Sequence, residues 1–168
     1  MFLNRSLIAL VVVCACACAP VAASSSFAKD LGDATAPLVA VGIAATYFGS
    51  SDNAEAKAAR VADAAVLSVG MAKLLKPNLK VGGEGRFVHS FPSGHTAIAF
   101  GAATSLAETF PKHKWAFYAG AALIGWSRVE SGVHTWKDVA GGAALGFGIG
   151  KWSVSAEDGL LIGRAYKF

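Results

Sequence analysis

The sequence predicts an all-α protein, a bundle of about five helices embedded in a membrane, and three observations carry that expectation. Of its 168 residues 54% are hydrophobic and only 15% are charged, with a mean hydropathy of +0.49. So little polar surface covers a globule poorly, and helices that face lipid resolve the mismatch. Five apolar stretches follow one another, at 37–49, 58–75, 95–110, 115–126 and 139–152. None alternates apolar and polar residues as a half-buried strand does, and Ala, Gly and Leu outnumber β-branched residues, which reads as helix. An Ala- and Gly-packed bundle in water is the alternative.

Taken in order, residues 1–23 have the layout of a secretory signal: Asn4-Arg5, an apolar run over 7–18, then Val21-Ala22-Ala23. Cleavage after Ala23 is expected, with an uncleaved anchor as the other possibility. Cys14, Cys16 and Cys18 all lie inside this run, so a mature chain has no disulfide and no thiolate chemistry. Val13-Cys14-Ala15-Cys16 loosely resembles a lipoprotein cleavage box, with Cys16 as the acylated residue. Residues 24–36 are short and polar and read as a connector. The helical domain is expected over 24–152. In its last stretch Gly141, Gly142, Gly146 and Gly150 recur near helical spacing, which lets a neighbouring helix approach closely. The tail, 153–168, opens a turn at Glu157-Asp158-Gly159 and continues as a short strand or irregular chain.

Alternating the five stretches puts the end of the second, the start of the third, the end of the fourth and the start of the fifth on one face. Every candidate for chemistry falls there. Lys57, Lys112, Lys114, Lys151, Arg164 and Lys167 fall on the other, as the positive-inside rule asks of a cytoplasmic side. A signal places the candidate face outside the cytoplasm, so a bacterial inner membrane with the site toward the periplasm is expected, or else a soluble periplasmic protein. Trp115, Trp126, Trp136 and Trp152 stand near segment ends, where they anchor at an interface or pack a core. The net charge of +4 suits an anionic substrate or lipid. No Lys/Arg cluster with interleaved aromatics is present, so nucleic acid is not expected.

The chemistry gathers in Phe91-Pro92-Ser93-Gly94-His95, Ser127-Arg128, His134 and Asp138. A Pro-Ser-Gly turn running into an apolar segment makes a helix N-terminus, whose free N–H groups favour an anion. His95 then stands in the first turn beside that anion. His134 and Asp138, four apart, are expected on one helix face, where the carboxylate fixes the imidazole tautomer and frees the other nitrogen. Arg128 is a planar, permanently charged donor for phosphate oxygens.

These residues resemble the second and third signature motifs of the type 2 phosphatidic acid phosphatase superfamily, which includes lipid phosphatases, bacterial acid phosphatases and vanadium haloperoxidases. Pro-Ser-Gly-His is matched at Pro92 to His95, and Ser-Arg-x5-His-x3-Asp at every fixed position from Ser127 to Asp138. The first motif, Lys-x6-Arg-Pro, is approximated by Lys73 and Lys80, with Lys for Arg and Val81 for Pro; Arg86 is another source of that charge. The resemblance implies an all-α, metal-independent phosphatase without cofactor, acting on a lipid phosphate or pyrophosphate. It assigns His134 as nucleophile, Asp138 as its orienting carboxylate and His95 as general acid. Lys73, Lys80, Ser93, Gly94 and Arg128 become the phosphate ligands. A periplasmic acid phosphatase for small phosphomonoesters and a non-catalytic lipid-phosphate-binding protein are the alternatives. A haloperoxidase is disfavoured by the short chain.

Overall fold

The computed structural model describes residues 25–50, 52–79, 89–156 and 160–162. Among them are six α-helices and no strand: α1 (Ser25–Asp33), α2 (Thr35–Gly49), α3 (Ala54–Asn78), α4 (Gly94–Thr109), α5 (Lys114–Glu130) and α6 (Trp136–Ser155), with a 3-10 turn at Pro111–His113. The all-α expectation holds. The signal segment, Lys80, Arg86 and most of the tail lie outside the described residues.

Helix α4 is the centre, packed on α3, α5 and α6 and more lightly on α2. Ala97, Ala99 and every residue from Gly101 to Ala107 are buried, and a helix buried around its circumference has to be enclosed on all sides. Its small side chains set the spacing. A Cβ added to Gly101 would lie 2.9 Å from the Ala64 carbonyl oxygen of α3. On α6, Gly142, Gly146 and Gly150 lie over Ser93 and Thr96, Ala97 and Gly101, and Gly101 and Thr104 in turn. One glycine per turn lets the two backbones touch, so the glycines noted in the sequence serve packing. Two small apolar clusters fill the remaining space. Ala99, Ala103, Ala121 and Ile124 pack with Phe100, Phe117 and Tyr118, while Val61, Ala102 and Leu106 pack with Val39, Ile43 and Phe110.

The five apolar stretches fall on α2 to α6, with Phe110 as the residue that caps the end of α4. Residues 24–36 are not a connector, however, because α1 forms there. Ala28 and Gly32 are buried while Phe27, Lys29 and Asp30 are exposed, and Leu31 packs on the α4–α5 cluster. A nine-residue helix is too short to hold itself in water, so only this packing stabilises it. No single described helix is long and apolar enough to cross a membrane; α1 and α2 pass that test only as a pair, bent by 42°.

Behind the site, fully buried Asp63 of α3 clasps residues 160–162. Its carboxylate accepts the backbone N–H groups of Leu160 (3.0 Å), Leu161 (3.2 Å) and Ile162 (2.8 Å). Ser153 adds a bond to the Arg60 carbonyl at 2.9 Å.

Candidate active site

The C-terminal ends of α1, α3 and α5 meet the N-terminal ends of α4 and α6, so the chain's chemistry gathers at one end of the bundle. Helix α4 begins after Ser93, an extended N-cap residue whose side chain caps nothing. The Ser93 hydroxyl accepts a bond from Thr96 Oγ1 at 3.0 Å, and the Ser93 N–H donates to the Asp138 carbonyl at 2.9 Å. The first-turn N–H groups of α4 are therefore uncapped, with the positive end of the helix dipole behind them. Half-buried His95 is the second residue of that turn.

Arg128 and His134 are fixed to each other through the backbone. The chain leaves α5 through a Ser131 N–H bond to Ser127 and then Gly132, whose φ of 67° is one that residues with a Cβ adopt only with strain. The N–H groups of Val133 (3.2 Å) and His134 (3.1 Å) then both donate to the Arg128 carbonyl. His134 is thus in a loop, since α6 starts two residues later with Thr135 as N-cap. The expected pairing of His134 and Asp138 along one helix face is corrected. They meet because a capping box turns the Asp138 carboxylate back over the helix start. Asp138 Oδ2 accepts the Thr135 N–H at 2.8 Å and the Ser90 hydroxyl at 2.8 Å, and lies 3.6 Å from His134 Nδ1.

Asp138 is 1% exposed. Burial works to raise its pKa, but the hydrogen bonds from Thr135 and Ser90, with His134 nearby, outweigh it and hold the carboxyl below its usual range. Burial lowers His134, and the charges of Lys76 and Arg128 lower it further against the opposing pull of Asp138. His95 is also lowered, by burial and then by Arg128 and Lys76, with Asp33 opposing. Both imidazoles are therefore biased toward the neutral form. Arg128 is buried, and its Nε and Nη1 have no hydrogen-bond acceptor among the described residues. The Asp33 Oδ1 lies 3.6 Å from Nη1.

Of the residues expected at the site, Ser93, Gly94, His95, Arg128, His134 and Asp138 come together. Lys73 is exposed on α3, and Lys80 is not among the described residues. The α3 charge that acts on both histidines belongs to Lys76, in the last turn of that helix, and the sequence reading passed over it. Its signal is Lys76-Pro77, a cation directly before proline as in the Arg-Pro of the first motif. Ser90 and Thr135 were also missed, although Thr135-x-x-Asp138 is a capping-box pattern. Asp33 had no signal at all. Among the described residues no group of three His, Cys, Asp or Glu side chains is arranged to hold a metal ion.

Fold and site together define a helical protein that brings an uncapped helix N-terminus, a buried arginine and two histidines to one end of its bundle. Residues 5–159 match the profile of the PAP2 superfamily, and the chain belongs to that superfamily. It is similar to an undecaprenyl-diphosphatase of Sulfolobus acidocaldarius, 41% identical over 70 residues. The match covers 41% of this chain and 34% of that relative, so the chain aligns with about a third of the relative's length. No solved structure matches it significantly.

Proposed function

We propose that this protein is a phosphatase that hydrolyses a lipid phosphate or pyrophosphate through a phosphohistidine. One observation carries the reading: the buried, acceptor-free Nε and Nη1 of Arg128 share a site with the uncapped start of α4. Buried donors without acceptors are costly unless a ligand supplies them, and both sets of donors suit phosphate oxygens. The Ser93 hydroxyl, the Gly94 N–H and the Lys76 ammonium complete the set, with Lys76 in the role expected of Lys73 and Lys80.

The Nδ1 of His134 faces Asp138, which leaves Nε2 to attack phosphorus. An N–P bond forms as the P–O bond to the leaving group breaks, and protonated His95 gives its proton to the departing oxygen. Water then attacks the phosphohistidine and returns a proton to His95. The N–P bond breaks and inorganic phosphate leaves. The three equatorial oxygens keep their ligands throughout, so the charge of the transition state is stabilised without reorganisation.

The lipid substrate draws support from the surface and from the relative named an undecaprenyl-diphosphatase. Trp136 and Leu74 are exposed around the site end of the bundle, and Phe48, Trp115 and Trp152 around the far end. Aromatic side chains at both ends of an apolar bundle suit a lipid interface. Lys57, Lys112, Lys114 and Lys151 accompany the far end, which supports a site that faces away from the cytoplasm. A small soluble phosphomonoester is the second reading, favoured by the lack of a single spanning helix among the described residues.

The deciding experiment is phosphate release by detergent-purified protein, with chelator present, from phosphatidate, a polyprenyl pyrophosphate and p-nitrophenyl phosphate. Release from a lipid that disappears in a folded His134→Ala variant is expected. Release from the aryl phosphate alone favours the second reading, and substantial turnover by His134→Ala rejects the phosphohistidine.

A further inference from the structure

No step above uses α1, yet α1 touches the phosphate-binding arginine. Gly32 packs so closely on Arg128 that a Cβ there would overlap the guanidinium. The next residue, Asp33, holds Oδ1 at 3.6 Å from Nη1. That distance is too long for a hydrogen bond. The partners are also unequal, because the Asp33 side chain is 58% exposed and that of Arg128 only 9%. One is free to swing into solvent and the other is not.

A guanidinium keeps its proton, so an empty site holds a buried cation that needs a counter-charge. Among the described residues the other neighbouring groups do not supply one. Lys76 from α3 is a second cation, His95 from α4 and His134 from the loop are biased toward neutrality, and Asp138 from α6 is engaged by Thr135 and Ser90. Among the described residues Asp33 is what remains. An arriving phosphate would make charge-assisted bonds to Nε and Nη1 and meet the Asp33 carboxylate beside the same nitrogen as a like charge.

We propose that Asp33 is a positioning residue, the displaceable counter-ion of Arg128: it neutralises the empty site, and the incoming phosphate drives it out toward solvent. The proposal rests on the phosphate site described above. It makes α1 a cover whose grip loosens when the anion binds, and it sets the affinity for that anion.

The test uses full-length protein in detergent and inorganic phosphate as the probe. Asp33→Asn keeps the shape and removes the charge. Its phosphate Kd should fall about fivefold, the scale of a partly solvated ion pair, while its melting temperature without phosphate drops. Asp33→Glu, which keeps the charge, should leave phosphate binding no tighter than in the wild type. Opposite signs are the signature, because an α1 that served only as scaffold would weaken binding and stability together. Weaker or unchanged binding in Asp33→Asn overturns the proposal. Should that variant not fold, hydrogen exchange on the wild type decides: residues 25–33 should exchange faster with phosphate bound, and added protection there overturns it. A wild type that binds no phosphate removes the site itself, an outcome distinct from a phosphate-binding wild type whose variant is unchanged.

Discussion

Asp138 does three jobs at once. It caps α6, faces His134 Nδ1, and through its carbonyl holds the Ser93 N–H. Asp138→Asn should therefore lower turnover by about a hundredfold or more, the scale of a misdirected acid–base histidine. It should also cost about 1–3 kcal/mol of stability through the weakened cap and network. Single-turnover kinetics and a melting curve separate the two losses, and a variant that loses stability but keeps its rate would leave Asp138 a capping role only. The pH dependence follows from the directions of the shifts. Folding lowers both histidine pKa values, so below about 6.5 the unfolded chain binds protons that the folded chain refuses. Their contribution is fully present above that pH and declines as the pH falls toward the folded values. Asp138 adds stability that is present above about 3.9 and is lost as the pH falls through its depressed value. A His134→Gln variant should show a shallower fall in melting temperature just below pH 6.5. In kcat/KM, which reports the free enzyme, the alkaline limb should lie below about 6.5 because His95, as the proposed general acid, must carry a proton.

The ordering of these groups depends on how closely α6 lies on α4. Gly146 faces Ala97, and a Cβ there would overlap that residue's carbonyl oxygen and lie 2.9 Å from the Gly101 nitrogen. A Cβ added at Gly148, two residues on, would meet nothing within 4 Å among the described residues beyond its own stretch of helix. Gly146→Ala should cost about 1–3 kcal/mol through overpacking. Gly148→Ala should be neutral or stabilising by up to about 1 kcal/mol, since alanine is the better helix former. Equal effects on the unfolding midpoint would mean that α4 and α6 are not in backbone contact. The same approach carries the Ser93–Asp138 bond, so Gly146→Ala should also lower turnover despite its distance from the histidines.

As a whole, the molecule has the proposed anion site at one end and exposed aromatic side chains at both. If these rings meet lipid, tryptophan emission should shift to the blue and the protein should float with anionic phospholipid vesicles. Unchanged emission with no flotation would point to the small soluble substrate. Such an assembly was largely readable in advance. Apolar runs without strand alternation announce helices, and the spacing of the motifs along alternating helices places His95, Arg128, His134 and Asp138 at a common end.

What the sequence determined alone is therefore the helical class, the chemical residue types and the end of the bundle where they collect, because periodicity and motif spacing are local properties. Tertiary structure decided the rest. Lys76 outranks Lys73 because it lies one turn nearer the end where α4 and α6 begin. His134 leaves the helix because Gly132 and the Thr135 cap redirect the chain. Helix α1 exists because Leu31 and Gly32 find partners on α5. Asp33 meets Arg128 across 95 positions of sequence, and no local pattern encodes such a meeting, since it is set by which helix ends the packed core brings together.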